Sequence, residues 1–290
     1  MKYYSINGER LKTLAINDRG LAYGDGLFTT AKIVNGQIEL LEQHIQRLVN
    51  GCNQLAISLP MTLLNGKLTQ YLSLIVKEHS SAVLKVIITA GTGGRGYSRQ
   101  GLTDNATNVI VMIFDYPQHN EKLAKTGVTL GFSLQKMSIS PMLAGVKHLN
   151  RLEQVLFKQE LDNREEDDLV VMNNASQVVE ATSGNLFYWL NGQLCTPDVS
   201  VSGVNGLMRQ FVIANYNQCC IQCENQCENQ CEDQEVGIVH TTLEHLALAD
   251  AMFTCNAITG ILPVKIFNKR LLALDKPQRL RQKIQEIIGD

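Results

Sequence analysis

Leu27–Val34 is rich in β-branched and aromatic residues and meets Gln37–Leu40 across Asn35-Gly36. Asn-Gly tolerates the two positive φ angles of a tight turn, so this stretch predicts a β-hairpin. From Leu41 the period changes. Leu41, Ile45, Leu48, Val49 and Cys52 recur at helical spacing and predict a helix over Leu41–Leu55. A second helix is expected over Gly66–Lys77, followed by strands at Val83–Thr89 and Asn108–Phe114. Near the N-terminus, Tyr3–Ile6 and Thr13–Ile16 read as strands flanking a turn at Asn7-Gly8.

Pro117 and the polar run around it interrupt the periodicity, which sets a domain boundary near residues 116–124. The expected organisation is an N-terminal α+β domain over 1–117, a linker over 118–124 and a C-terminal α/β domain over 125–290. In the second half, Val128–Leu134 predicts a strand. Asn150–Leu161 predicts a helix, with Asn150 as N-cap and Glu153 three residues on. Short strands are expected at Leu169–Met172, Val178–Glu180 and Leu186–Trp189, the last turning at Asn191-Gly192. A helix over Asn205–Tyr216, a strand over Ala251–Cys255 and a terminal helix over Leu280–Ile288 complete a two-domain mixture of α/β and α+β character.

Hydrophobic residues make up 44% of the chain and charged ones 19%, as in ordinary globular proteins. A net charge of −2 offers nothing to nucleic acid or to an anionic membrane. No apolar run reaches the roughly 18 residues of a membrane span, and Met1–Gly8 lacks the apolar core of a signal peptide, so a cytoplasmic location is expected. Of eight cysteines, five lie between Cys219 and Cys231, in a segment where a tetrapeptide, Cys-Glu-Asn-Gln twice and then Cys-Glu-Asp-Gln, recurs from Cys223 to Gln234. This is not the framework of a secreted disulfide protein. Soft thiolates at every fourth position suit zinc or copper(I), and a metal- or redox-sensing protein is the reading of a different class. Structural zinc sites, however, place cysteine pairs on two separate knuckles. The repeat therefore reads as an insertion near 219–234, and no metal site is expected.

Two residues stand out for chemistry. Lys147 follows the uncharged run Leu-Ala-Gly-Val and precedes the predicted helix. It is either a solvated surface charge or a lysine whose ammonium is disfavoured by its surroundings, as amine catalysis requires. Glu180 ends an apolar Val-Val pair, and is either an edge-strand glutamate in solvent or a buried carboxylate with a cationic partner. Thr89–Ser98 holds a glycine-rich run after a strand, but no GKS/T ending follows, so a nucleotide-phosphate loop is a poor reading.

Lys147-His-Leu-Asn-Arg-Leu-Glu and Glu180-Ala-Thr-Ser-Gly-Asn-Leu-Phe together resemble the signatures of the fold-type IV pyridoxal-phosphate enzymes, which include the branched-chain and D-amino-acid aminotransferases. The resemblance extends through Asp18-Arg-Gly-Leu-Ala-Tyr-Gly-Asp-Gly-Leu-Phe-Thr-Thr, His44-Ile-Gln-Arg47-Leu, Gly206-Leu-Met-Arg, Ala249–Ala257 and Leu262-Pro-Val. It implies a two-domain fold with pyridoxal 5'-phosphate at the domain interface, and a homodimer. It also implies that Lys147 carries the cofactor from the C-terminal domain and that Glu180 faces the pyridine nitrogen. Arg47, the backbone of Leu207 and Met208, and Asn256 would then hold the phosphate. Thr29-Thr30, the form of the segment around Lys147, and Thr89–Ser98 resemble the lyase branch of the family, which converts 4-amino-4-deoxychorismate to 4-aminobenzoate and pyruvate. That branch implies Thr30 as a catalytic residue beside Lys147, and Arg95 and Tyr97 as substrate contacts. The alternative within the fold is an aminotransferase acting on D-amino or branched-chain amino acids. His44 and His148, although next to motifs, read as packing residues.

Overall fold

The computed structural model describes residues 1–103, 106–216 and 235–289. The chain forms two compact units. Met1–Pro117 together with Val146–Arg151 makes the first, and Gln118–Gly145 together with Leu152–Asp290 makes the second.

The first unit is built on an antiparallel sheet of β1 (Tyr3–Ile6), β2 (Gly26–Val34), β3 (Gln37–Ile38), β4 (Ser81–Thr89) and β5 (Asn108–Asp115), in the order β1-β5-β4-β2-β3. Asn35 and Gly36 both take positive φ, the turn that joins β2 to β3. Strand alternation points Leu27, Thr29, Ala31 and Ile33 to one face of β2 and Phe28, Thr30 and Lys32 to the other. The first face is covered by α2 (Leu41–Gln54), which buries His44, Leu48, Gly51 and Cys52. A Cβ at Gly51 would lie 2.3 Å from Leu27 Cδ1, so any side chain there would have to displace the buried Leu27 side chain. With α4 (Lys67–Ile75), which buries Leu68 and Leu72, this makes one apolar core. Each fully buried Leu or Ile there contributes about 1.5–3 kcal/mol. Two short helices, α1 (Arg19–Tyr23) and α3 (Met61–Leu64), lie outside the periodic signal.

The second unit holds a nine-stranded mixed sheet among its described residues. Its strands are β6 (Val128–Met137), β7 (Asp168–Asn173), β8 (Val178–Ala181), β9 (Asn185–Leu190), β10 (Gln193–Pro197), β11 (Gly237–Val239), β12 (Ala251–Asn256), β13 (Gly260–Phe267) and β14 (Arg270–Leu271). The order is β11-β10-β9-β12-β13-β6-β7-β8, with β14 paired to β13. Near-continuous apolar runs such as Leu186–Trp189 and Ala251–Cys255 are buried throughout, as expected of strands covered on both faces. The helices are α5 (His119–Thr126), α6 (Leu152–Leu161), α7 (Leu207–Asn215), α8 (Leu243–Leu248) and α9 (Asp275–Gly289).

Four expectations are corrected. Thr13–Ile16 forms no strand. Among the described residues, β1 forms a ladder with β5, its turn closes between Ile6 and Glu9, and Thr13–Ile16 has no strand beside it to pair with. The stretch read as a linker is mostly α5, whose Leu123 and Ala124 anchor it in the core of the second unit. Asn150 does not cap a helix. Its amide donates to the Gly24 carbonyl at 3.2 Å, Glu153 accepts from Ser138 N at 2.9 Å, and α6 begins at Leu152. Finally, Lys147 groups with the first unit rather than with the C-terminal domain, because its segment is hydrogen-bonded to β2. The Cys-Glu-Asn-Gln repeat lies outside the described residues.

Candidate active site

In the first unit, Lys147 is held by backbone. The Phe28 N–H donates to the Lys147 carbonyl and the Leu149 N–H to the Gly26 carbonyl, each at 2.9 Å, so residues 147–149 run antiparallel beside the start of β2, with Leu27 and His148 as bridge partners. Arg151 staples the same segment, donating to the carbonyls of His148 at 2.8 Å and Val146 at 2.9 Å. Gly26 is required here, since a Cβ would meet the Ile88 carbonyl at 2.4 Å and Leu149 at 2.8 Å. Lys147 Nζ stands 4.8 Å from the ring centre of Phe28, and Lys85 Nζ stands 4.9 Å from the same ring. Lys85 is the register partner of Thr30, and burial lowers its ammonium pKa. Phe28, Thr30, Lys85 and Lys147 thus form one group. The sequence reading missed Lys85 and Phe28. The available signal was a single lysine inside the apolar run Val83–Thr89.

Arg47 lies on α2 one turn after His44, and burial brings its guanidinium down to about 10. His44 is buried and bonded through Nδ1 to Thr29 Oγ1 at 2.5 Å, and its Nε2 finds no hydrogen-bond partner among the described residues. Burial, with the Arg47 charge beside it, pushes His44 down to about 3. It is a neutral packing residue in the neutral pH range.

Arg95 and Tyr97 are exposed on the loop that follows β4. The Tyr97 ring packs against Tyr23 at 5.4 Å.

In the second unit, Glu180 sits on β8 at only 7% exposure, which removes the solvated reading. Its Oε2 accepts from the Val204 N–H at 3.0 Å and from Asn185 Nδ2 at 3.3 Å, donors that offset the cost of taking a carboxylate out of water. Asn185 also donates to the Val204 carbonyl at 2.8 Å and accepts from the Gly206 N–H at 3.2 Å. Gly206 is the N-cap of α7 and has no side chain to cap it, so first-turn N–H groups at Leu207 and Met208 have no intrahelical partner. The Arg209 side chain is committed to structure through Thr196 Oγ1, Asn205 Oδ1 and the Pro197 carbonyl. Asn256 braces the turn after β12. Its Oδ1 accepts from Ile258 N at 2.8 Å and Thr259 N at 2.9 Å, and its amide donates to the Ser183 carbonyl at 3.0 Å. Thr182 and Ser183 are in turn fixed by the buried Asp168 carboxylate.

These residue sets suit pyridoxal phosphate. The first unit supplies a lysine amine beside an aromatic ring and a partly desolvated arginine. The second supplies a buried carboxylate and an uncapped helix start in a glycine cradle, where a Cβ at Gly203 would lie 3.3 Å from Glu180 Oε2 and one at Gly206 2.1 Å from Asn185 Oδ1.

Among the described residues there is no cluster of three potential metal ligands, and no helix is long and apolar enough to cross a membrane. Cys52, Cys195 and Cys255 are buried, and burial raises all three thiols.

Residues 26–267 match the family described as amino-transferase class IV. The chain is 34% identical to an aminodeoxychorismate lyase of Vibrio harveyi over 89% of each chain. It is 24% identical to a D-alanine aminotransferase of Bacillus licheniformis, over 93% of this chain and 88% of that one. The crystal structure of 4-amino-4-deoxychorismate lyase from Pseudomonas aeruginosa superposes with a TM-score of 0.85 at 32% identity, covering 99% of this chain and 98% of the other. A branched-chain aminotransferase from Thermoproteus uzoniensis shares the fold, with a TM-score of 0.82 at 17% identity over 98% and 94% of the two chains. The fold is thus that of a known architecture, and the chain belongs to the class IV aminotransferase family of pyridoxal-phosphate enzymes.

Proposed function

We propose that this chain is a pyridoxal-phosphate-dependent lyase that converts 4-amino-4-deoxychorismate to 4-aminobenzoate and pyruvate, a step toward folate. The observation that carries the reading is near-full-length likeness to two such lyases at 34% and 32% identity, against 24% for the D-alanine aminotransferase.

When bound, pyridoxal phosphate supplies an aldehyde carbon for an amine and a pyridinium ring that takes up electrons. Glu180 would keep the ring nitrogen protonated. Arg47 and the N–H groups of Leu207 and Met208 would hold the phosphate, with Asn256 bracing the neighbouring turn and contributing its second amide hydrogen. Lys147 is the base: its amine takes the proton from the amine-bearing carbon of the substrate. The carbon–oxygen bond to the enolpyruvyl group on the adjacent carbon breaks, the ring becomes aromatic, and the released fragment takes up a proton to become pyruvate. Thr30, on the same sheet face as Phe28 and Lys85, positions the leaving group or passes on that proton. Arg95 pairs with a substrate carboxylate and Tyr97 lies beside it.

The deciding experiment supplies 4-amino-4-deoxychorismate to the holoenzyme. Pyruvate and 4-aminobenzoate are expected in equal amounts. Keto-acid formation from D-amino or branched-chain amino acids, without pyruvate release, would establish the aminotransferase instead.

We further infer a cytoplasmic homodimer. On the second unit, α6 buries Phe157 and Leu161 yet exposes Leu152, Val155 and Leu156, with Ile139 and Met142 also exposed before it. An apolar surface of this kind marks a protein interface. Val155→Glu should shift sedimentation from dimer to monomer, and an unshifted profile would place the interface elsewhere.

A further inference from the structure

We propose that Arg19 is a positioning residue for substrate binding, its guanidinium serving as the template that sets Arg95 and Tyr97 in place. The proposal rests on the lyase reading above and assigns a role to a residue that never meets the substrate.

Arg19 is 4% exposed, an unusual place for a cation. Its Nη1 donates to the carbonyls of Gly96 and Ser98 at 3.1 Å and reaches that of Gly93 at 3.5 Å; its Nη2 donates to the Tyr97 carbonyl at 2.9 Å. Four carbonyls of one six-residue loop therefore turn inward onto a single guanidinium. Arg95 and Tyr97 are left on the outside. Gly94 shows how tightly the loop wraps. It has φ +71°, and a Cβ would lie 3.1 Å from Arg19 Nη1 and 2.2 Å from the Ser98 carbonyl.

The template is itself anchored. Arg19 Nε donates to Asp25 Oδ2 at 2.8 Å. Arg99, just past the loop, binds the same carboxylate through both Nε and Nη2, and donates through Nη1 to the Leu55 and Ala56 carbonyls at 2.6 and 2.8 Å. Burial works to raise the Asp25 carboxyl, but the hydrogen bonds and charges of Arg99 and Arg19 more than reverse this and hold it below its ordinary value. Tyr23 completes the frame: its ring lies 5.0 Å from the Arg19 guanidinium carbon and packs on Tyr97. A planar fork with five donors is needed to serve several carbonyls and a carboxylate together, which lysine cannot do. The motif Asp18-Arg19…Gly24-Asp25-Gly26 thus links the base of β2, where Lys147 is held, to the loop that carries Arg95.

The test compares Arg19→Met, Arg19→Lys, Arg95→Ala and the Arg19→Met/Arg95→Ala double variant as holoenzymes with 4-amino-4-deoxychorismate. Arg19→Met should raise KM by about tenfold or more with kcat little changed and the cofactor absorbance intact, Arg19→Lys recovering only part. Because Arg19 acts through Arg95, the double variant should have the KM of Arg95→Ala and no more. Tryptic cleavage of the Arg95–Gly96 bond, located by mass mapping, should be about tenfold faster in Arg19→Met, since a loop that opens more readily is cut more readily. A lower kcat at unchanged KM, additive effects in the double variant, or cleavage at the wild-type rate would each overturn the proposal. A wild-type KM in Arg95→Ala would instead refute the assignment of Arg95, and the proposal would fall with it. Should Arg19→Met not fold, Arg19→Lys carries the same readouts.

Discussion

The Asn185 amide joins the Glu180 carboxylate to the start of α7, donating to Oε2 at 3.3 Å while its own carbonyl accepts from Gly206 N at 3.2 Å. The proposed acid for the ring nitrogen and the proposed phosphate cup are therefore set by one side chain. Asn185→Ala should disturb both, leaving Glu180 short of a donor at a cost of about 1–3 kcal/mol. Cofactor titration should show weaker binding and turnover should fall. Glu180→Gln should retain the cofactor and lose turnover. Asn185→Ala with wild-type affinity and rate would separate this residue from the site.

Lys147 is expected to carry the cofactor. Borohydride reduction of the holoenzyme followed by peptide mapping should find the pyridoxyl group on Lys147. Lys85, whose ammonium lies against the same Phe28 ring, is the informative alternative, and an adduct there would exchange the two assignments.

Acid should destabilise the fold through two histidines. His44 is lowered from 6.5 to about 3 and His148 to about 4, in both cases mainly by burial. Below pH 6.5 the unfolded chain binds protons that the folded chain refuses. Stability is thus fully present above that pH and is lost as pH falls toward 3, by up to about 1.4 kcal/mol per unit for each histidine. Urea unfolding between pH 7 and 4.5 should show this slope, and His44→Asn should remove about half of it. An unchanged slope in that variant would mean His44 is protonated in the folded protein.

Removing Cys223–Gln230, two of the three tetrapeptides, should leave turnover and Tm nearly unchanged, because closure entropy varies only slowly with loop length. Elemental analysis of the purified full chain should find no stoichiometric zinc or copper. A tightly held metal, or collapse of the shortened protein, would revive the sensing role for the cysteines.

Where a single period governed a segment, the sequence was a good guide. The β2–β3 hairpin, α2 and α4 followed from alternation, helical spacing and Asn-Gly turn chemistry alone. What stayed hidden depended on long-range partners. Thr13–Ile16 has strand-like residues but, among the described residues, no strand to pair with. The stretch around α5 reads as polar until Leu123 and Ala124 meet the core. Asn150 and Glu153 have the spacing of a capping box, yet Gly24 and Ser138 outcompete the helix for them. The site divides in the same way. The motif residues were recognisable by resemblance, whereas Lys85, Asn185 and Arg19 acquire roles only from what the fold sets beside them.

The six-residue excursion Val146–Arg151 makes the first unit discontinuous in the chain. The unit is complete only once synthesis has passed Arg151, because the first 117 residues lack the segment that hydrogen-bonds to the start of β2. Recombination between relatives at Pro117 would pair β2 of one parent with the Lys147 segment of the other, and would test Gly26 against a foreign Leu149. Exchanges that carry residues 146–151 along with 1–117 keep that match, so the segment bearing the reactive amine is expected to travel, in any functional chimera, with the half of the sequence that precedes it.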